Sequence, residues 1–436
     1  MLRRAGWFRL VGPALAVAWL LPAAASAVER FPPPDFESGH QLPETSQPPP
    51  RALWLQYTDV GVLLLALGLG AYLVHRRRSR RGVVWLTAAS LAYFGFYREG
   101  CVCAVGATQN VALALFDKAY APPLPVLFFF FLPLLFTLFF GRTFCAAVCP
   151  LGAVQDVVLV RPIRVARFVD HALRTLAYVY LGLAVLLAAT GTAFVICRYD
   201  PFVAFFRRDG SSTMLLLGGS LLVIGLFVGR PYCRYLCPYG VLLGWVSRFS
   251  KLQVSLTPTR CVSCRLCEES CPFGAIHVPN ADRPVPEVAP ARRRILVLLL
   301  VLPVAVGAFS WVGSRLGAPL SHLHPTVALA ARVLAEEAKE VEGRTDASKA
   351  LRASGRPLGE LHAEAVEIQR RLGLGGALFG AFLGLSIVAR LLTVSIWRRR
   401  TDYLADAGRC LACARCFPFC PEEQERQNAG DRPRAA

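Results

Sequence analysis

Seven long apolar runs after residue 50 decide which folds are open to this sequence. They span residues 53–74, 82–97, 123–140, 175–196, 213–229, 295–313 and 372–389. A helix needs roughly 20 apolar residues to cross ~30 Å of hydrocarbon, and each run is close to that length. Of the 436 residues, 55% are hydrophobic and 18% are charged, which excludes a disordered chain and disfavours a soluble enzyme. The runs therefore predict an all-α polytopic membrane protein with about seven transmembrane helices.

The N-terminal segment predicts export. Residues 1–27 combine an early arginine pair with an apolar stretch and a small-residue cleavage pattern that ends at Ala27, as is typical of a signal peptide. An uncleaved N-terminal anchor is the alternative interpretation. Residues 28–52 contain two Pro-Pro-Pro runs and are predicted to form an exported, extended linker.

The formal charge of +19 is interpreted as a topology signal. Arginines cluster in loops that would then face the cytoplasm, because positively charged loops stay on that side of the membrane. The clusters lie at 76–81, 142–174, 230–234, 292–294 and 398–400. A nucleic-acid partner would need a soluble basic face, and the sequence shows none. We therefore predict a multi-pass protein of the bacterial inner membrane, in contact with anionic lipid.

Two cysteine motifs in the C-terminal half carry the clearest chemical signal. Each has the spacing C-x2-C-x2-C-x3-C-P, typical of bacterial ferredoxins with two [4Fe-4S] clusters, in which the fourth cysteine ligates the neighbouring cluster. Zinc is disfavoured because zinc ribbons use two separated C-x2-C pairs, and disulfides are disfavoured in a reducing compartment. The predicted ligands are Cys261, Cys264, Cys267 and Cys420 for one cluster, and Cys410, Cys413, Cys416 and Cys271 for the other.

A helix hairpin separates the two motifs, so the ferredoxin-like domain is predicted to be split in sequence. One cytoplasmic half covers residues 251–294 and the other covers residues 398–436. Residues 295–397 leave the cytoplasm and return, with an exported helical loop at 314–371. The membrane core of five helices is assigned to residues 53–250. The two halves can meet only where the hairpin brings its ends together.

A second group of cysteines belongs to a repeated motif, G-R-x-[FY]-C-x3-C-P-x-G, which begins at Gly141 and again at Gly229. Residues i and i+4 share one face of a helix, so the two cysteines of each copy are expected to point the same way. The four thiols are candidates for a redox relay, a third cluster or metal site, or dithiols; the alternative is that they pack as small buried hydrophobes. They are Cys145, Cys149, Cys233 and Cys237.

Three further cysteines, Cys101, Cys103 and Cys197, lie in loops predicted to be exported. The stretch that begins at Cys103 resembles the stretch that begins at Cys149. The core is therefore interpreted as two tandem helix hairpins, each with a cysteine at the exported turn and a CxxxCP at the cytoplasmic end. A structural disulfide is the alternative, but three cysteines leave one outside any pair. Their role stays open.

Haem is not expected in the membrane. The seven histidines lie at helix ends or outside the apolar runs, so paired haem ligands are missing from the spans. The sequence also lacks C-x-x-C-H, P-loop and dinucleotide-binding motifs. Electrons that cross ~30 Å of hydrocarbon need an intermediate site. The repeated cysteines and a bound quinone are the two candidates.

The spans, the two G-R-x-[FY]-C-x3-C-P repeats, the CRYDPF segment at 197–202 and the two ferredoxin motifs resemble the NosR/NirI and NapH family of membrane polyferredoxins. The resemblance covers about residues 55–420. It implies electron transfer between the quinone pool or a cytoplasmic donor and an exported reductase system, which for the NosR branch is nitrous-oxide reductase. NosR-type proteins carry a large exported flavin domain. Residues 28–52 are too short for one, so no covalent flavin is expected, and a separate exported flavin or haem protein is the expected partner.

We therefore expect a redox carrier or a quinol-oxidising subunit rather than a stand-alone enzyme. Two alternatives stay open. One is a copper or metal-centre assembly factor that reduces metal ions for an exported enzyme. The other is a redox-sensing regulator that uses its clusters as the sensor.

Overall fold

The computed structural model describes residues 51–428, apart from 101–102, 257–260, 283, 285–286 and 342. The predicted signal peptide at 1–27, most of the linker at 28–52, and Cys101 lie outside the described residues.

Helices form nearly all of the regular structure in the described part of the chain. The first are α1 (Leu53–His75), α2 (Arg80–Ser90), α3 (Ala104–Phe116), α4 (Leu124–Phe140), α5 (Thr143–Ala147), α6 (Pro150–Val158), α7 (Arg167–Leu173) and α8 (Thr175–Ala189). A π-helical segment, Leu91–Tyr97, continues α2. Next come α9 (Val195–Arg198), α10 (Val203–Arg207), α11 (Ser212–Gly225), α12 (Pro231–Tyr235), α13 (Pro238–Val246) and a 3-10 turn, Ser247–Phe249.

The C-terminal part holds two long helices between two short strands. In order it contains α14 (Leu266–Glu269), β1 (Ile276–His277), α15 (Val288–Ser321), α16 (Pro325–Glu337), α17 (Asp346–Ala353), α18 (Leu358–Ser395), β2 (Leu404–Ala405), a 3-10 turn (Phe417–Phe419) and α19 (Pro421–Asn428).

Among the described residues, four helices are long and apolar enough to cross a membrane, and the chain is accordingly a membrane protein. They are Leu53–His75, Phe168–Ala189, Ala289–Ser321 and Leu358–Ser395. The other three predicted runs fold as shorter helices of 11, 17 and 14 residues, namely α2, α4 and α11. The apolar helix α3 was not predicted from the sequence. Seven crossings therefore stay a prediction.

One apolar core extends from the first membrane helix to the last cysteine motif. It contains Leu67 of α1, Phe129 of α4 and Tyr239 of α13, and also Ala414 and Phe417 of the C-terminal motif. Side chains within one packed cluster exclude water from one another. The C-terminal cysteine loop therefore packs directly on the membrane core.

Helices α15 and α18 form a long hairpin that glycines hold together. A Cβ at Gly317 would lie 2.7 Å from Gly373 Cα, and a Cβ at Gly384 would lie 2.9 Å from Ala305 O. Gly376 and Gly380 approach the backbone of α15 in the same way, at the four-residue spacing typical of close helix pairs in membranes. This packing brings the N-terminal end of α15 near the C-terminal end of α18.

Beyond that junction, the two short strands join the segments that carry the ferredoxin motifs. Strand Ile276–His277 pairs antiparallel with Leu404–Ala405. Asn280 strengthens the contact, since its backbone N–H donates to Arg400 O at 2.9 Å and its Oδ1 accepts the Arg400 N–H at 2.6 Å. The two motif-bearing segments are thus in direct contact. That they form one cytoplasmic domain stays a prediction.

The segment between the two long helices is helical, with a small core of its own. Val327, Val333 and Leu351 of this segment pack together with Leu361 of α18. Helix α15 continues to Ser321, and α18 begins at Leu358, so both extend well into the predicted exported loop at 314–371.

Replacing Gly384 by leucine is expected to separate the α15–α18 hairpin. The new side chain would meet the backbone of Ala305 and Val306, which cannot rotate away, and overpacking of this kind costs about 1–3 kcal/mol. The measurement is the free energy of unfolding in detergent, together with iron content. Gly307→Leu is the matched control, because a Cβ at Gly307 meets nothing within 4 Å. Equal behaviour of the two variants would contradict glycine-dependent packing.

Candidate functional site

The two ferredoxin-type cysteine loops share one unusual backbone. In each loop, the residue before the second cysteine and the residue after it have positive φ: 53° and 63° at Ser263 and Arg265, and 54° and 56° at Ala412 and Ala414. A non-glycine residue in this region costs of order 1–2 kcal/mol. Four such residues at matching positions show that both loops curl in the same way around the space between their cysteines.

The structure gathers the eight motif cysteines into two sets of four. Cys420 lies with the cysteines of the first motif, and Cys271 lies with those of the second. The thiols that interact electrostatically are Cys267 with Cys264, Cys420 and Cys261, and Cys416 with Cys413, Cys410 and Cys271. These are the two sets predicted from the spacing. Their ligation of clusters stays a prediction.

Charge and spacing in these sets fit an iron–sulfur cluster better than a single ion. Burial, and then the neighbouring thiols, raise the pKa of Cys267 and of Cys416. Four thiolates therefore need a cationic core between them. Among the described residues, no three His, Cys, Asp or Glu side chains are close enough to hold one ion. Zinc would require thiolates ~2.3 Å from one centre, whereas a cluster distributes them over several irons.

In each CxxxCP copy, a short helix ends between the two cysteines. Cys145 lies in α5, whereas Cys149 is the N-cap of α6, with extended backbone at ψ 117°. Cys233 and Cys237 are divided in the same way between α12 and the start of α13. The expectation that each pair shares one helix face is therefore wrong. A residue before proline is pushed out of the α region, and proline favours the first position of a helix.

The arginine of the second CxxxCP copy lies inside the first copy. Arg230 is 0% exposed and donates to both carboxylate oxygens of Asp156, at 2.9 and 2.8 Å, as well as to Cys145 O. A Cβ at Gly152 would lie 2.8 Å from Arg230 Nη1. A side chain at the glycine that closes the first motif would thus meet the arginine of the second.

The arginine of the first copy faces the second in the same manner. Arg142 is 7% exposed and lies against Gly240, where a Cβ would be 3.3 Å from Arg142 Nη2. Its guanidinium lies 3.6 Å from Cys145 Sγ and donates to Gly408 O at 2.9 Å. The arginine of each copy therefore packs against the other copy. Arg142 also contacts the chain just before the second ferredoxin motif.

Further arginines bind the cysteine loops to the membrane core. Arg80 donates to Cys413 O at 3.0 Å, and Arg234 donates to Pro272 O at 3.1 Å. Arg415 lies 3.7 Å from the carboxylate of Asp156. The sequence did not predict these contacts, and Arg80 and Arg234 were interpreted as topology signals.

The CxxxCP cysteines lie next to the second ferredoxin set. Cys145 packs against an apolar cluster of Phe273 and Leu411, and Cys271, Cys410 and Cys413 pack on that same cluster. Cys149 and Cys237 are each 8% exposed within the main core.

Cys103, which the sequence reading assigned to a separate exported group, lines one cavity with Cys149. The predicted division into inner-face and exported groups therefore does not correspond to a wide separation in space. Cys197 lies against Gly106, where a Cβ would be 3.2 Å from its Sγ. Cys101 lies outside the described residues.

Comparisons with known proteins match the parts of the chain that carry these cysteine motifs. A family model described as "4Fe-4S binding domain" matches residues 122–165 and 212–256, which contain the two CxxxCP copies. A second model of the same description matches residues 254–277, which contain the first ferredoxin motif. The chain therefore carries 4Fe-4S binding domains. No solved structure matches it.

Three relatives illustrate the similarity. YccM of Escherichia coli is 29% identical over 31% of this chain and 43% of its own length. The regulatory protein NosR of Pseudomonas aeruginosa is 29% identical over 62% of this chain and 42% of NosR. The protein NirI of Paracoccus denitrificans is 30% identical over 46% of this chain and 31% of NirI. The chain thus spans less than half the length of each.

The fold and the matched domains define a membrane protein that binds iron–sulfur clusters. Within that class, the resemblance to NosR/NirI-type membrane 4Fe-4S proteins, predicted from the motifs, is confirmed. The relatives support a role in electron transfer or in regulation.

Alanine substitutions at four cysteines are expected to test the crossed ligation. Cys420→Ala and Cys261→Ala should abolish the same electron paramagnetic resonance (EPR) signal of the reduced protein, since their thiols lie in one set. Cys271→Ala and Cys410→Ala should abolish the other. The measurement is EPR with iron and sulfide counting on anaerobically purified protein. Loss of one shared signal in Cys420→Ala and Cys410→Ala would instead show ligation within each motif.

Proposed function

We propose that this protein carries electrons across the bacterial inner membrane, between the quinone pool or a cytoplasmic donor and an exported reductase or an exported flavin or haem protein. It acts as a redox carrier or a quinol-oxidising subunit. Both ferredoxin motifs face the cytoplasm in this proposal, in agreement with the positive-inside rule. Bound [4Fe-4S] clusters supply one-electron redox chemistry there. Their ligands are Cys261, Cys264, Cys267 and Cys420 for one cluster, and Cys410, Cys413, Cys416 and Cys271 for the other.

One observation carries the proposal: a CxxxCP cysteine shares an apolar cluster with three ferredoxin cysteines. Cys145 packs on Phe273 and Leu411 together with Cys271, Cys410 and Cys413. Residues that pack on the same apolar cluster lie close to one another in space. This proximity supports a role of the CxxxCP thiols as a relay between the ferredoxin motifs and the interior of the membrane core.

One buried and two half-buried arginines give this relay region a positive charge. Arg80, Arg230 and Arg415 surround a single carboxylate, that of Asp156, at 3.7, 2.8 and 3.7 Å. Uncompensated positive charge in a water-poor site favours thiolates and other anionic groups nearby. The arginines thus hold the thiols in place and stabilise the negative charge that a ligand set of four cysteines carries.

The proposed exported system follows from the relatives. The resemblance to NosR implies a part in the maturation or activity of nitrous-oxide reductase. A second candidate function is redox-sensing regulation, which is favoured by the name of NosR as a regulatory protein. A carrier must transfer electrons from one side of a membrane to the other, whereas a regulator need not.

Electron transfer across vesicles is expected to distinguish the two functions. Proteoliposomes that enclose ferricyanide receive dithionite outside, and reduction of the enclosed ferricyanide is followed by absorbance. The wild-type protein should accelerate it well beyond empty vesicles. Cys145→Ala and Cys237→Ala should return the rate to that of empty vesicles while both ferredoxin EPR signals persist.

Ser220→Ala is the control, because that side chain is exposed on α11 and bonds only to its own helix. It should transfer electrons at the wild-type rate. Wild-type vesicles no faster than empty ones would reject the carrier and leave the regulator. Full activity of Cys145→Ala would reject the CxxxCP relay.

A further inference from the structure

The surroundings of Cys103 resemble those of Cys149 in local structure and in residue type. Cys103 is the N-cap of the 13-residue helix α3, and Cys149 is the N-cap of α6. Six residues after each cysteine comes a glutamine, Gln109 or Gln155, and both side chains are 0% exposed. The proposed function uses the cysteine at position 149 and assigns no role to the one at 103.

Each glutamine fixes a short helix that carries another cysteine. Gln109 Oε1 accepts the backbone N–H of Cys197 at 3.2 Å and that of the preceding residue at 2.9 Å. Gln155 Oε1 accepts the N–H of the residue before Cys233 at 3.0 Å. In both places the sequence continues Cys-Arg-Tyr. Helix α9, which carries Cys197, is thus the structural counterpart of α12, which carries Cys233.

Asp200 takes the place that Cys237 has in the CxxxCP site. The sequence Asp-Pro-Phe at 200–202 resembles Cys-Pro-Tyr at 237–239, although Asp200 follows its cysteine by three residues and Cys237 follows its own by four. Asp200 Oδ1 accepts the N–H groups of residues 202 and 203, at 2.9 and 3.2 Å, as Cys237 Sγ accepts the N–H of residue 240 at 3.3 Å. The Asp200 side chain is buried. A second site therefore repeats three of the four cysteine positions of the first, with a carboxylate in place of one thiol.

The three groups lie together and adjoin the CxxxCP site. The Cys103 thiol interacts electrostatically with both Asp200 and Cys197. Cys103 and Cys149 line one cavity, so Cys103 connects this group to the CxxxCP site, while Cys197 lies at its exposed end. No three such ligands among the described residues are close enough for a single ion, and the ferredoxin sets share that wider spacing.

Two buried donors point to an anionic occupant. Gln109 Nε2 and Tyr232 Oη have no hydrogen-bond partner among the described residues. The equivalent donor of the CxxxCP site, Gln155 Nε2, lies 3.2 Å from Cys233 Sγ. The Tyr232 hydroxyl interacts electrostatically with Asp200. An unsatisfied buried donor costs about 1–3 kcal/mol, and the sulfurs of an iron–sulfur cluster are acceptors that would satisfy it.

We infer that Cys103, Cys197 and Asp200 hold an iron–sulfur cluster of their own, next to the CxxxCP site. Replacing cysteine by a harder ligand changes the potential of such a cluster, as histidine does in Rieske centres. The role of this cluster as the next station of the relay rests on the proposed function. The presence of the cluster does not rest on the proposed function, because it depends only on the ligands and on bound iron.

The test is iron and acid-labile sulfide counting, with EPR, on the full chain purified anaerobically. Cys103→Ala and Cys197→Ala are expected to contain less iron than the wild type while both ferredoxin EPR signals remain. Asp200→Cys is expected to keep the wild-type iron content and to show altered g-values at the new centre. Asp209→Asn, an exposed carboxylate a few residues further on, is the control and should match the wild type.

Wild-type iron content in both alanine variants would overturn the inference. So would a Cys103–Cys197 disulfide in the purified protein, detected by alkylation and mass spectrometry, since oxidised sulfurs cannot ligate iron. Unchanged g-values in Asp200→Cys would remove Asp200 from the ligand set. Iron content is measured on purified protein without a membrane. The inference can therefore be tested even when the vesicle assay shows no electron transfer.

Discussion

The buried guanidinium of Arg230 connects the two CxxxCP copies, and the rest of the structure depends on this contact. It has no exposed surface, forms a bidentate salt bridge with Asp156, and donates a hydrogen bond to the backbone oxygen of Cys145. Removing one partner of such a buried pair costs about 3–5 kcal/mol, because the other charge is left without compensation. The two CxxxCP copies are thus joined by an interaction that neither copy could satisfy alone.

The same charge network reaches the ferredoxin motifs. Asp156 also lies 3.7 Å from Arg415, and Arg80 joins it to the backbone of Cys413. The C-terminal cysteine loop is therefore bound directly to the membrane core. In the proposed function, this packing keeps the ferredoxin cysteines close to the CxxxCP cysteines. It also means that the fold and the candidate redox sites are stabilised by the same interactions.

Two segments distant in sequence meet because a pair of helices pack closely. Gly317 and Gly384 lie where any side chain would push α15 and α18 apart. Their closeness brings β1 and β2 into register. Cys271 and Cys420 can then each lie among the cysteines of the opposite motif. Loss of packing far from the cysteines would therefore act on the clusters as well.

Much of the fold could be predicted, because apolar runs and cysteine spacing are local patterns. Each of the seven runs became helical, and the Gly-Arg motif recurred as the same succession of short helices. Helix α3 escaped prediction because its 13 residues include Thr108, Gln109 and Asn110, which break the apolar run. The expectation that Cys145 and Cys149 share one helix face was wrong, because Pro150 forces the preceding Cys149 out of helical backbone.

The sequence by itself determined the class of protein, the two ferredoxin motifs and the doubled CxxxCP, since each follows from residues within a few turns of one another. Only the tertiary structure decided that Cys103 lies beside Cys149, and that Arg142 and Arg230 are buried cations. A buried charge needs a partner, and the partners here, such as Asp156 and Gly408, are far away along the chain. No local pattern records which distant groups will satisfy it.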